Sequence, residues 1–144
     1  MNRERFLVKS YGDNPAGVTA GLVKLLELLP NHKDAVIVVP EMGKVSGTML
    51  VPILGEDLSK RLIKNREILF DDGSRISLCA QATLKNYRRA DAYLVLWGSK
   101  YAIQDVEALD RWKSLVLVTW MPEDSAEWEA ENKVSVIYDD GRNQ

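Results

Sequence analysis

The chain has 144 residues, of which 46% are hydrophobic and 28% are charged, a composition typical of a folded globular domain rather than of a disordered segment. Nineteen Lys and Arg against 21 Asp and Glu leave a net charge of -2, so the overall charge does not indicate a nucleic-acid or membrane partner. A single cysteine, Cys79, and a single histidine, His32, exclude an intrachain disulfide and a zinc site built from Cys and His.

The same features predict a single domain, residues 1–144, located in the cytoplasm. No apolar run approaches the roughly 18 residues that a membrane-spanning helix needs. The first residues lead into only a short apolar run, which is unlike the core of a signal peptide.

Short β-type runs alternate with segments of helical periodicity along the chain. In chain order, strands are predicted at 6–8, 35–39, 68–70, 76–78, 93–97, 115–120 and 134–138, and helices at 15–29, 56–65, 81–89, 101–113 and 123–132. The runs that begin at residues 35, 93 and 115 are continuously apolar, which is typical of parallel strands covered on both faces. The alternation predicts a three-layer α/β/α sandwich with a mainly parallel sheet, Rossmann-like in the broad sense.

Local signals mark one helix and one hairpin. Asn14 suits the N-cap of the first helix and Pro15 its first position. The buried stripe of this helix is predicted to comprise Val18, Leu22, Leu25, Leu26 and Leu29. Asp72 and Gly73, between two β-type runs, predict a β-hairpin inserted into the sandwich.

A glycine-bounded loop joins the first strand to the first helix. Gly12 and Gly17 are spaced as G-x-x-x-x-G and are followed by Val18 and Thr19. The phosphate-binding loop has this strand–loop–helix context and the pattern G-x-x-x-x-G-K-[ST], in which backbone N–H groups and the helix N-terminus meet phosphate oxygens. Both glycines and the hydroxyl residue are present here, but Val18 occupies the position of the lysine.

With the segments that follow, this loop resembles a RecA-like lobe of the P-loop NTPases, and the layout is most similar to the ATPase part of phage terminase large subunits and helicase-like motors. Residues 35–40 resemble the hydrophobic strand followed by proline, and residues 68–76 resemble the hairpin containing Asp-Gly-Ser. Residues 90–96 are similar to the strand that delivers the Mg²⁺-holding Asp and the catalytic Glu. Residues 115–122 are similar to the next strand, which ends in a Ser/Thr-x-Pro motif. The resemblance implies a RecA-like strand order and an ancestral nucleotide site.

The chain departs from this family where phosphoryl transfer takes place. Trp97 and Gly98 stand where the family has Asp-Glu, and Val18 stands where it has lysine. Phosphoryl transfer needs a cation on the phosphates, a metal-binding carboxylate and a group that positions water. The sequence therefore predicts a degenerate, non-catalytic P-loop-like module, with no catalytic residue, no metal site and no identified cofactor.

The predicted ligand site lies at the C-terminal edge of the sheet, where open α/β sheets bind ligands. Trp97 and Trp120 each end a predicted parallel strand, and their indoles suit stacking on a base or another flat ligand. Lys44, in a glycine-rich loop after the second strand, is the cation nominated to meet an anion. The full candidate set is Gly12, Asn14, Gly17, Thr19, Lys44, Trp97, Thr119 and Trp120.

Uneven charge predicts two partner surfaces. A basic surface for a nucleotide or nucleic acid comprises Lys60, Arg61, Lys64, Arg88 and Arg89. The acidic helix around Trp128, with Glu127 and Glu131, is the surface predicted for a protein partner. Both surfaces also fit ordinary solvated helix faces.

An alternative hypothesis is a small α/β enzyme acting on a nucleotide-like or other small substrate through carboxylates such as Asp13, Glu41 and Asp91. Other single residues are weaker candidates. His32 fits an exposed loop position, Cys79 fits a buried and inert thiol, and the hairpin carboxylates at 71 and 72 fit a turn better than a metal site.

Overall fold

Residues 3–141, which the computed structural model describes, alternate between strands and helices. The strands are β1 (Glu4–Lys9), β2 (Asp34–Val39), β3 (Glu67–Leu69), β4 (Arg75–Ala80), β5 (Ala92–Gly98), β6 (Ser114–Thr119) and β7 (Ser135–Asp139). The α-helices are α1 (Pro15–Leu28), α2 (Leu50–Leu54), α3 (Glu56–Asn65), α4 (Lys100–Glu107) and α5 (Ala126–Glu131), and 3₁₀ helices span Met42–Gly47, Gln81–Tyr87 and Pro122–Ser125. None of the helices in this part of the chain has both the length and the apolar character needed to cross a bilayer.

All seven strands form one sheet in the order β3-β4-β2-β5-β6-β1-β7. The edge strand β3 is antiparallel to β4, as the Asp-Gly hairpin predicts, and every other neighbouring pair is parallel. The first strand lies inside the sheet between β6 and β7, and two strands separate it from β2. A flavodoxin-type sheet would instead place the first strand beside the second.

Helices cover both faces of this sheet, which confirms the predicted α/β sandwich. On one face, Leu25 of α1 and Leu62 of α3 pack in the same cluster as Leu94 and Val116 of the central strands. On the other face, the cluster includes buried side chains from α4, α5 and the 81–87 segment, namely Val106, Trp128 and Leu84. The alternation of β5 and β6 side chains between the two clusters explains why their sequences are continuously apolar.

The connections leave the sheet on different sides, which opens crevices between neighbouring strands. β1 continues into α1 on one face, whereas its neighbour β6 continues into α5 on the other. The same divergence separates β2 from β5, because Val45 after β2 packs with the α1 cluster and α4 after β5 packs with the other. Such divergence at the carboxyl ends of adjacent strands is the usual position of a ligand site in an open α/β sheet.

Several local expectations are corrected, among them the predicted helix over 81–89, which is a 3₁₀ helix over Gln81–Tyr87. The predicted helix over 101–113 ends at Glu107, because Trp112 folds back and its Nε1 donates to the Val106 carbonyl oxygen at 2.9 Å. The glycine-rich loop after β2 is a 3₁₀ helix followed by α2. Leu26 is 42% exposed and lies off the buried stripe of α1, whose other four predicted members are buried.

Candidate functional site

A cavity of about 460 Å³ opens at the carboxyl edge of the sheet. Four connections build it: the β1–α1 loop, the segment after β2, the end of β5 and the residue after β6. The lining residues are Asp13, Pro40, Glu41, Lys44, Val45, Gly47, Thr48, Trp97 and Trp120. The cavity therefore lies where the sequence places the ligand site, and its wall combines two indoles with two carboxylates and a lysine.

Trp97 enters this wall through a β-bulge. The register between β5 and β6 shifts between Leu96 and Gly98, and Trp97 has a left-handed φ of 55°. Along β5, Leu94 and Leu96 face the α1 side and Tyr93 and Val95 face the other, so regular alternation would send the Trp97 side chain away from α1. The bulge instead places Trp97 in the α1 cluster, at the cavity.

A bulky residue with positive φ is strained, and such strain is common at binding sites. Trp97 is only 6% exposed, and its Nε1 has no hydrogen-bond partner. A buried indole N–H ordinarily finds an acceptor. Trp97 thus combines backbone strain with an unsatisfied donor in the wall of one cavity.

Trp120 forms a more open part of the same wall. It is 49% exposed, and its carbonyl oxygen accepts the Gly12 N–H at 2.8 Å. Thr119, beside it, is fully buried: its Oγ1 accepts from the Ser10 N–H at 3.1 Å and donates to the Ser10 carbonyl oxygen at 2.9 Å. Thr119 therefore fixes the end of β6 against the end of β1 and does not line the cavity.

Asp13 places a carboxylate at the cavity from the β1–α1 loop. Its Oδ2 accepts the Met49 N–H at 2.9 Å, which ties the loop to the residue before α2. Its Oδ1 is buried and has no hydrogen-bond partner. Lys44, the one cation among the lining residues, instead pairs with Glu41 at 3.3 Å.

The backbone of the β1–α1 loop is held mainly by contacts within the chain. Gly12 has φ of 61°, a conformation that glycine adopts without strain. The Gly17 N–H donates to the Asn14 Oδ1 at 3.0 Å, so Asn14 caps α1 as expected. A Cβ on Gly17 would lie 2.6 Å from the Ser10 Oγ, so this glycine allows α1 to start close to β1.

Four amides of this loop donate to acceptors of the chain itself. The Tyr11 N–H donates to the Asp140 Oδ2 at 2.9 Å, and the Val18 N–H donates to the Asn14 carbonyl oxygen at 2.9 Å. The Gly12 and Gly17 amides are engaged as described above. Thr19 donates its hydroxyl to the Pro15 carbonyl oxygen at 2.8 Å and is exposed on α1.

The eight candidate residues thus fall into three groups. Lys44, Trp97 and Trp120 line the cavity. Gly12, Asn14, Gly17 and Thr119 build the frame that holds the loop and the strand ends. Thr19 lies apart from both groups.

The two carboxylates of the enzyme hypothesis, Asp13 and Glu41, line the cavity, but the third does not. Asp91 precedes β5 at the amino edge of the sheet, where its N–H donates to the Asp34 carbonyl oxygen. A strand separates the two edges, so Asp91 cannot act with the other two. The glycine-rich loop after β2 was expected at this crevice, but the sequence does not single out Val45 or Thr48 within it, or Pro40 before it, because their place depends on the 3₁₀ helix that the loop forms.

The remaining single candidates, His32, Cys79 and Asp72, lie outside the cavity in contacts that stabilise the fold. His32 Nε2 lies 3.1 Å from the Oγ of the fully buried Ser114 at the amino edge. Burial raises the pKa of the Cys79 thiol to about 12, so this cysteine stays protonated at neutral pH. Asp72 accepts from the Ser74 hydroxyl and N–H inside the hairpin turn, and these hydrogen bonds lower the pKa of its carboxyl. Within residues 3–141, no group of three or more His, Cys, Asp or Glu side chains could hold a metal ion.

The predicted basic surface is divided. On α3, Lys60 pairs with Glu56 at 3.9 Å and Arg61 pairs with Asp57 at 3.4 Å. Lys64 also lies on α3, which packs on the α1 face. Arg88 and Arg89 follow the 81–87 segment, which packs on the opposite face, and line a separate groove at the amino edge. The five residues therefore do not form one patch on a single face.

The predicted acidic surface is partly internal. Trp128 is buried, and its Nε1 donates to the Glu107 Oε2 at 2.6 Å. Glu129 pairs with Lys9 of β1 at 3.0 Å. Glu127 and Glu131 stay exposed beside a groove between α4 and α5.

Comparison with protein-family models, with curated proteins and with solved structures found no match to this chain.

Proposed function

We propose that this chain is a non-catalytic, P-loop-like binding module that takes a base-containing ligand, a nucleotide or a nucleic-acid base, at the carboxyl edge of its sheet. One observation carries the proposal: two indoles line the cavity there, and one of them, Trp97, reaches it through a strained bulge. Indole faces bind flat heterocycles by stacking, at about 1–3 kcal/mol per base. Strain of this kind persists where a function depends on it.

The position of the first strand supports the P-loop-like part of the proposal. β1 lies inside the sheet and delivers its glycine loop to the carboxyl edge, where Asp13 joins the cavity wall. The alternative flavodoxin-type order, in which the resemblance would have been accidental, differs from the observed order.

The residues at the family's catalytic positions support a role without phosphoryl transfer. Val18, at the lysine position, is fully buried in the core, and Trp97 and Gly98 replace the two carboxylates. Asp13 adds negative charge where a phosphate would approach the loop. Because the amides of Gly12 and Gly17 are already engaged, we expect stacking on the base to supply most of the binding energy.

The enzyme hypothesis is kept as a second candidate because Asp13 and Glu41 line the same cavity. Two carboxylates in one cavity are suited to general acid and base catalysis on a small substrate. A protein partner at this edge is the third possibility. The experiment below gives a different result for the enzyme hypothesis and for a protein partner.

The test is a thermal-shift screen with nucleosides and nucleoside triphosphates, with and without Mg²⁺. A ligand that binds the folded state raises the melting temperature by mass action. We expect stabilisation by base-containing ligands that does not require Mg²⁺. Trp120→Ala should weaken binding about tenfold, because it removes the exposed stacking face. A tenfold loss is about 1.4 kcal/mol, which lies within the roughly 1–3 kcal/mol typical of a base–aromatic stack.

Tyr101→Ala is the matched control, because Tyr101 is an exposed aromatic residue on α4, outside the cavity, with 61% exposure against 49% for Trp120. Release of inorganic phosphate from ATP with Mg²⁺ would favour the enzyme hypothesis. Stabilisation by none of these ligands would contradict the proposed base-binding function and leave a protein partner as the candidate.

A further inference from the structure

Unsatisfied hydrogen-bonding atoms gather at the cavity. Among residues 3–141, four buried side-chain polar atoms have no hydrogen-bond partner: Ser10 Oγ, Asp13 Oδ1, His32 Nδ1 and Trp97 Nε1. Two of these four, Asp13 Oδ1 and Trp97 Nε1, belong to residues that line the same cavity. Since most buried polar atoms in folded proteins are paired, two unpaired atoms on residues of one cavity call for partners from outside the chain, which an ordered water or a ligand supplies.

The two atoms have opposite hydrogen-bonding character. An indole Nε1–H can only donate, and an ionised carboxylate oxygen can only accept. A ligand that satisfies both must therefore carry an N–H or O–H donor and an acceptor. A carboxylate acceptor makes a charge-assisted hydrogen bond, which is about twice as strong as a neutral one, so the contact to Asp13 should dominate recognition.

The charges of the lining residues disfavour a ligand whose phosphate groups enter the cavity. Asp13 and Glu41 are anionic, and Lys44 is engaged by Glu41 at 3.3 Å. Both members of that pair are largely exposed, so Lys44 contributes only weakly to holding an anion. Phosphate groups deep in this cavity would face the uncompensated Asp13, which favours recognition of the base over recognition of the phosphates.

We infer, building on the proposed function, that the cavity selects nucleobases that carry an exocyclic amino group, with the amino N–H donating to Asp13 Oδ1, a ring acceptor receiving the Trp97 Nε1–H and the ring stacking on the exposed Trp120. Adenine, cytosine and guanine each present such a group beside a ring acceptor, so one base edge offers both the donor and the acceptor that the wall lacks. The contact at Asp13 specifies the base, and the contact at Trp120 provides sequence-tolerant affinity.

The experiment compares adenosine with purine riboside, which has the same ring and sugar without the amino group, by calorimetric titration of the intact chain. We expect adenosine to bind at least about tenfold more tightly, the effect of losing one hydrogen bond to a charged group. N6,N6-dimethyladenosine, which has no N–H on the amino group, should bind no better than purine riboside. Single-stranded oligo(dA), titrated in parallel, distinguishes a base in a strand from a free nucleoside.

Asp13→Asn tests the same contact from the protein side. The amide oxygen can keep the bond from the Met49 N–H, and the amide NH₂ then replaces Oδ1, so an acceptor becomes a donor. The preference for adenosine over purine riboside should disappear or reverse. Asp57→Asn is the control, because it makes the same substitution at an exposed carboxylate on α3, outside the cavity, and should leave the preference intact.

Each outcome distinguishes the inference from the proposed function. Equal affinity for adenosine and purine riboside would overturn the inference while base binding stands. No binding of any nucleoside or of oligo(dA) would overturn both. Binding of methylguanidinium in place of nucleosides would show a cation site and also overturn the inference. Should Asp13→Asn fail to fold by circular dichroism, the ligand series on the unmodified chain decides alone.

Discussion

At the scale of single residues, Trp97 departs most from what its neighbours predict. The seven buried residues of β5, Ala92–Gly98, form a regular parallel strand up to Leu96. At Trp97 a left-handed backbone conformation interrupts the alternation of side chains between the two faces of the sheet. For a residue other than glycine this conformation costs about 1–2 kcal/mol. Burial of the large Trp97 indole offsets this strain energy. The conformation places an aromatic side chain in the wall of the cavity.

Because of this strain, we expect an unusual order of stability for two variants at position 97, with the glycine variant more stable than the alanine variant. Trp97→Ala and Trp97→Gly should both destabilise the fold, by about 3–5 kcal/mol for loss of a buried aromatic side chain. Trp97→Gly should be the more stable of the two by about 1 kcal/mol, because glycine adopts positive φ freely. Urea denaturation of both variants measures the difference.

The neighbouring Val95 provides the control, because it occupies a regular, buried strand position. There the order should invert, with Val95→Gly less stable than Val95→Ala by about 0.5–1 kcal/mol. A Trp97→Ala variant as stable as Trp97→Gly would contradict the left-handed conformation on which the cavity wall depends.

At the scale of elements, one carboxylate joins β1, α4 and α5. Glu107 accepts from Arg5 through two hydrogen bonds, Nε to Oε2 at 2.6 Å and Nη2 to Oε1 at 2.9 Å, and also from the Trp128 indole. Arg3 and Arg5 lie over the Trp112 ring, with the guanidinium carbon of Arg3 4.1 Å from its centroid. The bond to Glu107 explains why Trp128, the indole of the predicted acidic surface, is internal.

The network predicts a pH-dependent stability. Burial alone would raise the pKa of Glu107, but the hydrogen bonds from Arg5 and Trp128 outweigh it and hold the pKa below its ordinary value of 4.5. The ionised carboxylate thus stabilises the fold above pH 4.5, and this contribution is lost as the pH falls through the lowered pKa. Glu107→Gln should cost about 1–2 kcal/mol at pH 7, the effect of losing charge-assisted bonds at a partly buried site.

Unfolding free energies of Glu107→Gln and the unmodified chain, measured from pH 7 to pH 3, check this account. The difference should shrink at the acid end. Glu127→Gln, at an exposed position near the same groove, should differ little from the unmodified chain at either pH. A difference for Glu107→Gln that stays constant with pH would show that the charge of Glu107 contributes nothing.

Element types could be predicted from the sequence wherever the signal was local. Continuous apolar runs located β2, β5 and β6, the Asp-Gly pair located the hairpin, and Asn14 with Pro15 located the start of α1. The end of α4 was not predicted, because it depends on a side-chain contact: the Trp112 indole, six residues along the chain, donates to the Val106 carbonyl oxygen in the last turn. The bulge at Trp97 was equally hidden, since it depends on register with β6.

At the scale of the whole molecule, the site depends on strand order more than on any motif. The sequence predicted that the carboxyl ends of the strands form the ligand site, and the cavity lies there. The candidate residues came from the same four connections that meet at the cavity, but which of those residues line it depends on the order β2-β5-β6-β1, which brings together segments far apart in the chain. The glycine pattern correctly located the loop between β1 and α1. Most backbone hydrogen bonds of this loop hold the loop and the strand ends in place and do not point to a ligand.

The central claim is that Trp97 and Trp120 receive a base at this edge. The chain has four tryptophans, so its indole ¹H–¹⁵N correlation spectrum offers four separable reporters. Trp112 and Trp128 donate to Val106 and Glu107 and lie outside the cavity. On titration with adenosine, the account predicts saturable shifts of the Trp97 and Trp120 signals while the Trp112 and Trp128 signals stay in place. Shifts confined to Trp112 or Trp128, or an unmoved Trp97 signal at saturating adenosine, would contradict it.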